Sequence, residues 1–74
     1  MDDTQDKEPH EMLSEREYQT FIMIASGKTV SEIAGELSLS KPTVSTYRAR
    51  ILEKMRLKNN AEIMTYAVGQ KLVG

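Results

Sequence analysis

A chain of 74 residues with a net charge of −1, no cysteine and one histidine has room for one small domain and few ways to staple it. Disulfides and thiolate metal sites are excluded, His10 has no second ligand at metal spacing, and no apolar run approaches the roughly 18 residues of a membrane span. Nothing reads as a signal peptide, a Ser/His/Asp or Cys/His set, or a glycine-rich phosphate loop, so the expectation is a cytoplasmic protein that is not an enzyme and takes no cofactor or small-molecule ligand.

Residues 1–12, MDDTQDKEPHEM, are acidic, contain Pro9 and show no apolar period. They read as a disordered arm or an interdomain linker, with His10 a solvated tail residue. The ordered domain is expected over 13–74. Ser14 with Glu17 is a capping box, and Leu13 is placed as the hydrophobic staple before it. The helix that follows runs to about Ser26 and buries Tyr18, Phe21, Ile22, Ile24 and Ala25 in part. Gly27 stops it, because glycine takes the left-handed conformation without steric cost.

Residues 29–49 read TVSEIAGELSLSKPTVSTYRA, two short amphipathic helices broken by a brief joint. Thr29 with Glu32 is a second capping box, so a helix of about two turns starts at Val30 and turns Val30, Ile33, Ala34 and Leu37 inward. Ser38 and Leu39 form the joint, with Leu39 the apolar plug beneath the crossing. Ser40 is the next N-cap and Pro42 falls in the first turn, where its missing N–H costs nothing. The second helix spans about residues 41–56 and carries Val44, Tyr47, Ile51 and Met55 as its buried stripe. At about 100° per residue, Ser45, Thr46, Ala49 and Glu53 lie opposite.

After a connector of Leu57, Lys58 and Asn59, the pair Asn59 and Glu62 marks a last helix over about 60–72, with Ala61, Met64, Ala67, Val68 and Leu72 near one side. Its apolar content exceeds what one face needs to dock on so small a core. Core packing with a frayed end would account for it, and so would self-association through Met64, Ala67 and Val68.

The layout is that of a helix-turn-helix. A helix face of Ser, Thr and Ala approaches another surface closely, and the DNA major groove admits a helix whose hydroxyls and methyls meet base edges. Around it stand Lys41, Arg48, Arg50, Lys54, Arg56 and Lys58, suited to phosphates. Charge is divided accordingly. Residues 1–17 hold seven acids and two bases, whereas residues 41–58 hold six bases and one acid. Taken alone, the basic cluster would also fit an ordinary solvated helix; the spacing of the motif favours double-stranded DNA.

From Leu13 to Ala67 the chain resembles, without a gap, the LuxR/NarL/FixJ type of helix-turn-helix domain of bacterial response regulators. The resemblance is carried by Leu13-Ser14, Arg16-Glu17, Ala25, Gly27, Ile33-Ala34, Leu37, Ser40, Thr43-Val44, Ile51, Lys54, Asn59 and Ala61-Glu62. The segment TVSTYRARI is similar to the branch of EvgA-, BvgA- and GacA-like regulators, in which Tyr replaces a common histidine. It implies an all-α, four-helix domain of the winged-helix-like DNA-binding superfamily, with the third helix in the major groove and the fourth serving weak dimerisation on paired half-sites. It also implies a cytoplasmic two-component regulator in which a receiver usually precedes the domain.

Carried over by position, Ser45, Thr46 and Ala49 face bases. Thr43, Lys41, Arg48, Arg50 and Lys54 hold the backbone or groove edge, and Thr29, Val30 and Lys58 complete the expected DNA-binding set. Ser45 and Pro42 depart from the Lys common at both places, so the target sequence does not transfer from relatives. Two readings compete: a sigma-factor-like promoter reader, which would also touch RNA polymerase, and a helical protein-interaction module.

Overall fold

The computed structural model describes residues 9–73. Its elements are a 3-10 turn at Pro9–Met12 followed by α1 (Glu15–Ala25), α2 (Val30–Leu37), α3 (Lys41–Met55) and α4 (Asn60–Gly69), with no strand among the described residues. The all-α, four-helix class is therefore as expected.

Each helix begins where a side chain satisfies the N–H groups that its first turn leaves unpaired. Ser14 Oγ accepts the Glu17 N–H at 3.2 Å while Glu17 Oε1 accepts the Ser14 N–H at 2.9 Å. Thr29 and Glu32 repeat the exchange at 3.2 and 2.8 Å. Ser40 caps α3 through the Thr43 N–H, and Asn59 caps α4 through the Glu62 N–H. Glu62 then turns back to accept the Lys58 N–H at 2.8 Å.

The helix ends close by backbone geometry. After α1, Gly27 takes φ 94°, and the N–H groups of Gly27 and Lys28 return to the carbonyls of Ile24 and Met23. After α2 and α3 the same left-handed stop is made by Ser38 and Arg56, at φ 57° and 56°. These residues carry a Cβ that glycine lacks, and the returning Leu39 and Leu57 N–H groups hold them there by bonding Ala34 and Leu52 at 2.9 Å.

Helix α1 is the hub, with α3 and α4 packed against it and α2 closing over α3. Phe21, Ile24, Ile33, Val44, Ile51, Ile63 and Ala67 form the core, drawn from all four helices. Leu39 packs against it from the joint, as its apolar character required. Tyr47 is only half-buried at the edge of the expected α3 stripe.

The structure departs from the sequence reading in three places. The described residues open with a 3-10 turn at Pro9–Met12, inside the stretch expected to be a disordered arm, and His10 is half-buried, not solvated: His10 Nδ1 and the Tyr66 hydroxyl share a hydrogen bond of 2.9 Å. His10 also lies among the rings of Tyr18 and Tyr66, centroids 6.2 and 5.8 Å away, with Phe21 beneath. The rest of the acidic arm, residues 1–8, lies outside the described residues. Ala67 is fully buried, so it serves the core and is closed to a dimer contact. Helix α4 ends at Gly69, with Leu72 folded back so that its N–H meets the Ala67 carbonyl.

Candidate nucleic-acid interface

The outward face of α3 is built as its periodicity demands. Val44, Ile51 and Met55 are buried, and Pro42, Ser45, Thr46, Ala49, Arg50 and Glu53 are exposed. Thr46 donates its hydroxyl hydrogen to the Pro42 carbonyl at 3.0 Å, which leaves the oxygen lone pairs and the methyl group as the features it can offer a base edge. Ser45 and Ala49 flank it at the same shallow height. Glu53, two turns beyond Thr46, puts one carboxylate on this face.

The cations expected around the face divide into three kinds. Lys41, Arg50, Arg56 and Lys58 are exposed and carry no ion pair among the described residues. Arg48 is half-buried and donates its Nε–H to Asn60 Oδ1 at 2.6 Å, across the step from α3 to α4. Lys54 is committed inward: its ammonium lies 2.7 Å from Glu17 Oε1, on a carboxylate only 3% exposed. Burial alone would raise the Glu17 pKa; the Lys54 ammonium and the Ser14 N–H outweigh it and hold the group below the usual carboxylate range. Lys54, expected at the groove edge, is thereby the tie between the recognition helix and the cap of α1.

The remaining expected positions also make structural contacts. The Thr43 hydroxyl pairs with Ser40 Oγ at 2.8 Å and the residue is half-buried. Thr29 is exposed but its hydroxyl caps α2, and Val30 packs on the core. Outside the interface, Lys28 bridges Glu36 on α2 at 2.7 Å, and this carboxylate raises the Lys28 pKa. On α4, Met64 and Val68 are 42% and 60% exposed, side by side with Ala61 and away from buried Ile63 and Ala67.

Sequence reasoning missed Glu17 and Asn60 as partners of α3 cations, and Ile63 as core. Ile63 had a signal, since counting from the Asn59 cap puts it four residues before Ala67 on one face. Glu17 had none beyond its cap role, because its partner lies 37 residues away. No group of metal-ligating side chains occurs among the described residues, and no described helix is long and apolar enough to cross a membrane.

Two short helices at a tight joint, the second presenting a shallow polar face edged by exposed cations, define a DNA-binding helix-turn-helix domain. Comparison with known proteins refines this class. The family described as bacterial regulatory proteins, luxR family, matches residues 11–67, and the chain belongs to it. Among its relatives, the response regulator GacA of Pseudomonas aeruginosa is 43% identical over 65 residues, covering 88% of this chain and 30% of that protein. GacA of Pseudomonas viridiflava is 42% identical over the same length and coverage. The response regulator UvrY of Escherichia coli strain K12 is 40% identical over 60 residues, covering 81% of this chain and 28% of its own. The chain thus spans less than a third of these relatives.

Proposed function

We propose that this chain is the sequence-specific output domain of a two-component transcriptional regulator that works in the cytoplasm and has no enzymatic role of its own. Helix α3 enters the major groove, Ser45, Thr46 and Ala49 read base edges, and Lys41, Arg50, Arg56 and Lys58 hold the flanking phosphates. The observation that carries this reading is the exposed, short-chained face of α3 with exposed cations on its margins that carry no ion pair among the described residues. The partners it implies are double-stranded DNA, a second copy of the domain through Met64 and Val68, and RNA polymerase at the promoter. One helix face buries far less than the ~1,200 Å² of a stable interface, so the domain is a monomer in solution and pairs only on adjacent half-sites.

The test is selection of bound duplexes from a random pool by the 74-residue chain, followed by titration at several salt concentrations. The expected result is one enriched half-site, repeated at a fixed spacing, with a log-affinity slope against log salt of about −0.9 per phosphate contact. A pool that stays random with no salt-dependent shift would leave a protein-interaction module as the better reading.

A further inference from the structure

Arg48 and Asn60 form a side-chain link between α3 and α4, two helices that otherwise meet chiefly by packing on α1. The geometry around it is specific. Asn59 and Asn60 are adjacent but serve different ends: Asn59 Oδ1 is used up on the Glu62 N–H at 3.0 Å, as the cap of α4. Asn60, the first residue of the helix, is free of that duty and reaches across to take the Arg48 Nε–H at 2.6 Å. A guanidinium is a rigid plane with five donors, so one bond at Nε restricts the plane while the Nη groups keep their hydrogens for another acceptor.

Charge makes the choice of partner informative. Lys54 and Lys28 meet carboxylates and are neutralised by Glu17 and Glu36. Arg48 meets a neutral amide and has no carboxylate partner among the described residues. It is therefore oriented with its full positive charge retained, at the half-buried edge of α3 beside the exposed face. A cation held in place without being neutralised loses less rotamer freedom when an anion arrives, and that is preorganisation.

We propose that Asn60 is a positioning residue for DNA binding: it holds Arg48 as a preset clamp for a backbone phosphate at the margin of the recognition helix. The inference rests on the reading of α3 as a groove helix and extends it to a residue on α4 outside the helix-turn-helix. Through Asn60, the start of the helix that carries Met64 and Val68 is tied to a phosphate contact of α3.

The experiment compares the 74-residue chain with Asn60→Ala, Asn60→Asp, Arg48→Ala and the Arg48→Ala/Asn60→Ala pair on one duplex carrying a single half-site, over a range of salt, with melting temperatures measured alongside. Arg48→Ala lowers the magnitude of the salt slope by about 0.9, one phosphate's share. Asn60→Ala keeps the slope and weakens binding about 3- to 10-fold, the cost of freezing one rotamer-rich side chain. In the Arg48→Ala background, Asn60→Ala has no further effect. Asn60→Asp keeps the bond but neutralises the cation, so it lowers the slope, and it is the disappearance of the Asn60→Ala loss without Arg48 that a purely structural role for the amide would not produce. Asn60→Ala binding as tightly as the parent, or a loss that persists without Arg48, overturns the proposal. Failure of the parent chain to bind any duplex overturns the groove reading itself and is seen before any variant is compared.

Discussion

Removing the Lys54 ammonium separates two accounts of the one cation on the recognition helix that meets a carboxylate among the described residues. Glu17 Oε1 accepts from Lys54 Nζ at 2.7 Å and from the Ser14 N–H at 2.9 Å, in a side chain 4% exposed. Lys54→Met keeps most of the stem and deletes the charge, leaving Glu17 with its capping contacts alone. A hydrogen bond to a charged group contributes about 1.5–3 kcal/mol, and the Lys54 side chain is 42% exposed, so solvent screening favours the low end, about 1.5 kcal/mol. At about 4–8 °C per kcal/mol for a domain of this size, the melting temperature should fall by roughly 6–12 °C.

The pH dependence has a definite sign. Glu17 is held below its unfolded value in the folded state, so its contribution is present above the usual Glu range and is lost as pH falls through the folded value. The difference between parent and Lys54→Met should therefore be full at neutral pH and shrink as acid protonates Glu17 in both. Urea unfolding followed by circular dichroism across that range measures it. An unchanged melting temperature together with a smaller DNA salt slope would refute the reasoning, because Lys54 would then be a phosphate contact and not the tie to α1.

Thr46→Glu should abolish specific binding and leave the melting temperature within about 4 °C, since the residue is exposed and a carboxylate there faces the phosphates; a mobility shift on the selected half-site checks it. Val68→Asp should reduce cooperative binding to paired half-sites and spare a single one, because Val68 is 60% exposed and its charge is left unpaired only in a dimer contact; equal losses on both duplexes would remove α4 from the contact. His10→Ala should lower stability by about 1 kcal/mol through loss of the Tyr66 hydrogen bond, read as a melting-temperature drop of roughly 4–8 °C.

What could be read from the chain was what neighbouring residues decide among themselves. The caps at Ser14, Thr29, Ser40 and Asn59 involve partners three residues apart, and each helix starts where its cap places it. The α3 faces followed from the 3.6-residue period. What stayed hidden depended on distance along the chain: Glu17 to Lys54, Arg48 to Asn60 and His10 to Tyr66 are separated by 37, 12 and 56 residues. Each of these polar groups reads locally as solvated or as a cap, and only the packing of α3 and α4 on α1 brings its second partner within reach. The face of α4 was blurred for a related reason. Ala61, Met64 and Val68 are apolar but exposed, and in a ten-residue helix they compete with Ile63 and Ala67 for the inward stripe.

These long-range ties also explain how a chain with six basic residues between 41 and 58 avoids placing all of them at one surface. Had every cation faced the groove, affinity would have been mostly electrostatic and indifferent to sequence, since phosphate contacts carry no base information. Instead Lys54 fixes the roll of α3 against α1, and Arg48 is steered by Asn60. Four cations remain exposed without an ion pair among the described residues, and Glu53 stands exposed on the outward face of α3. On the proposed reading, discrimination then falls to the short side chains at 45, 46 and 49. Base contacts by side chains this short would be weak singly and would depend on helix placement, and the Glu17–Lys54 tie is the contact that would supply that placement.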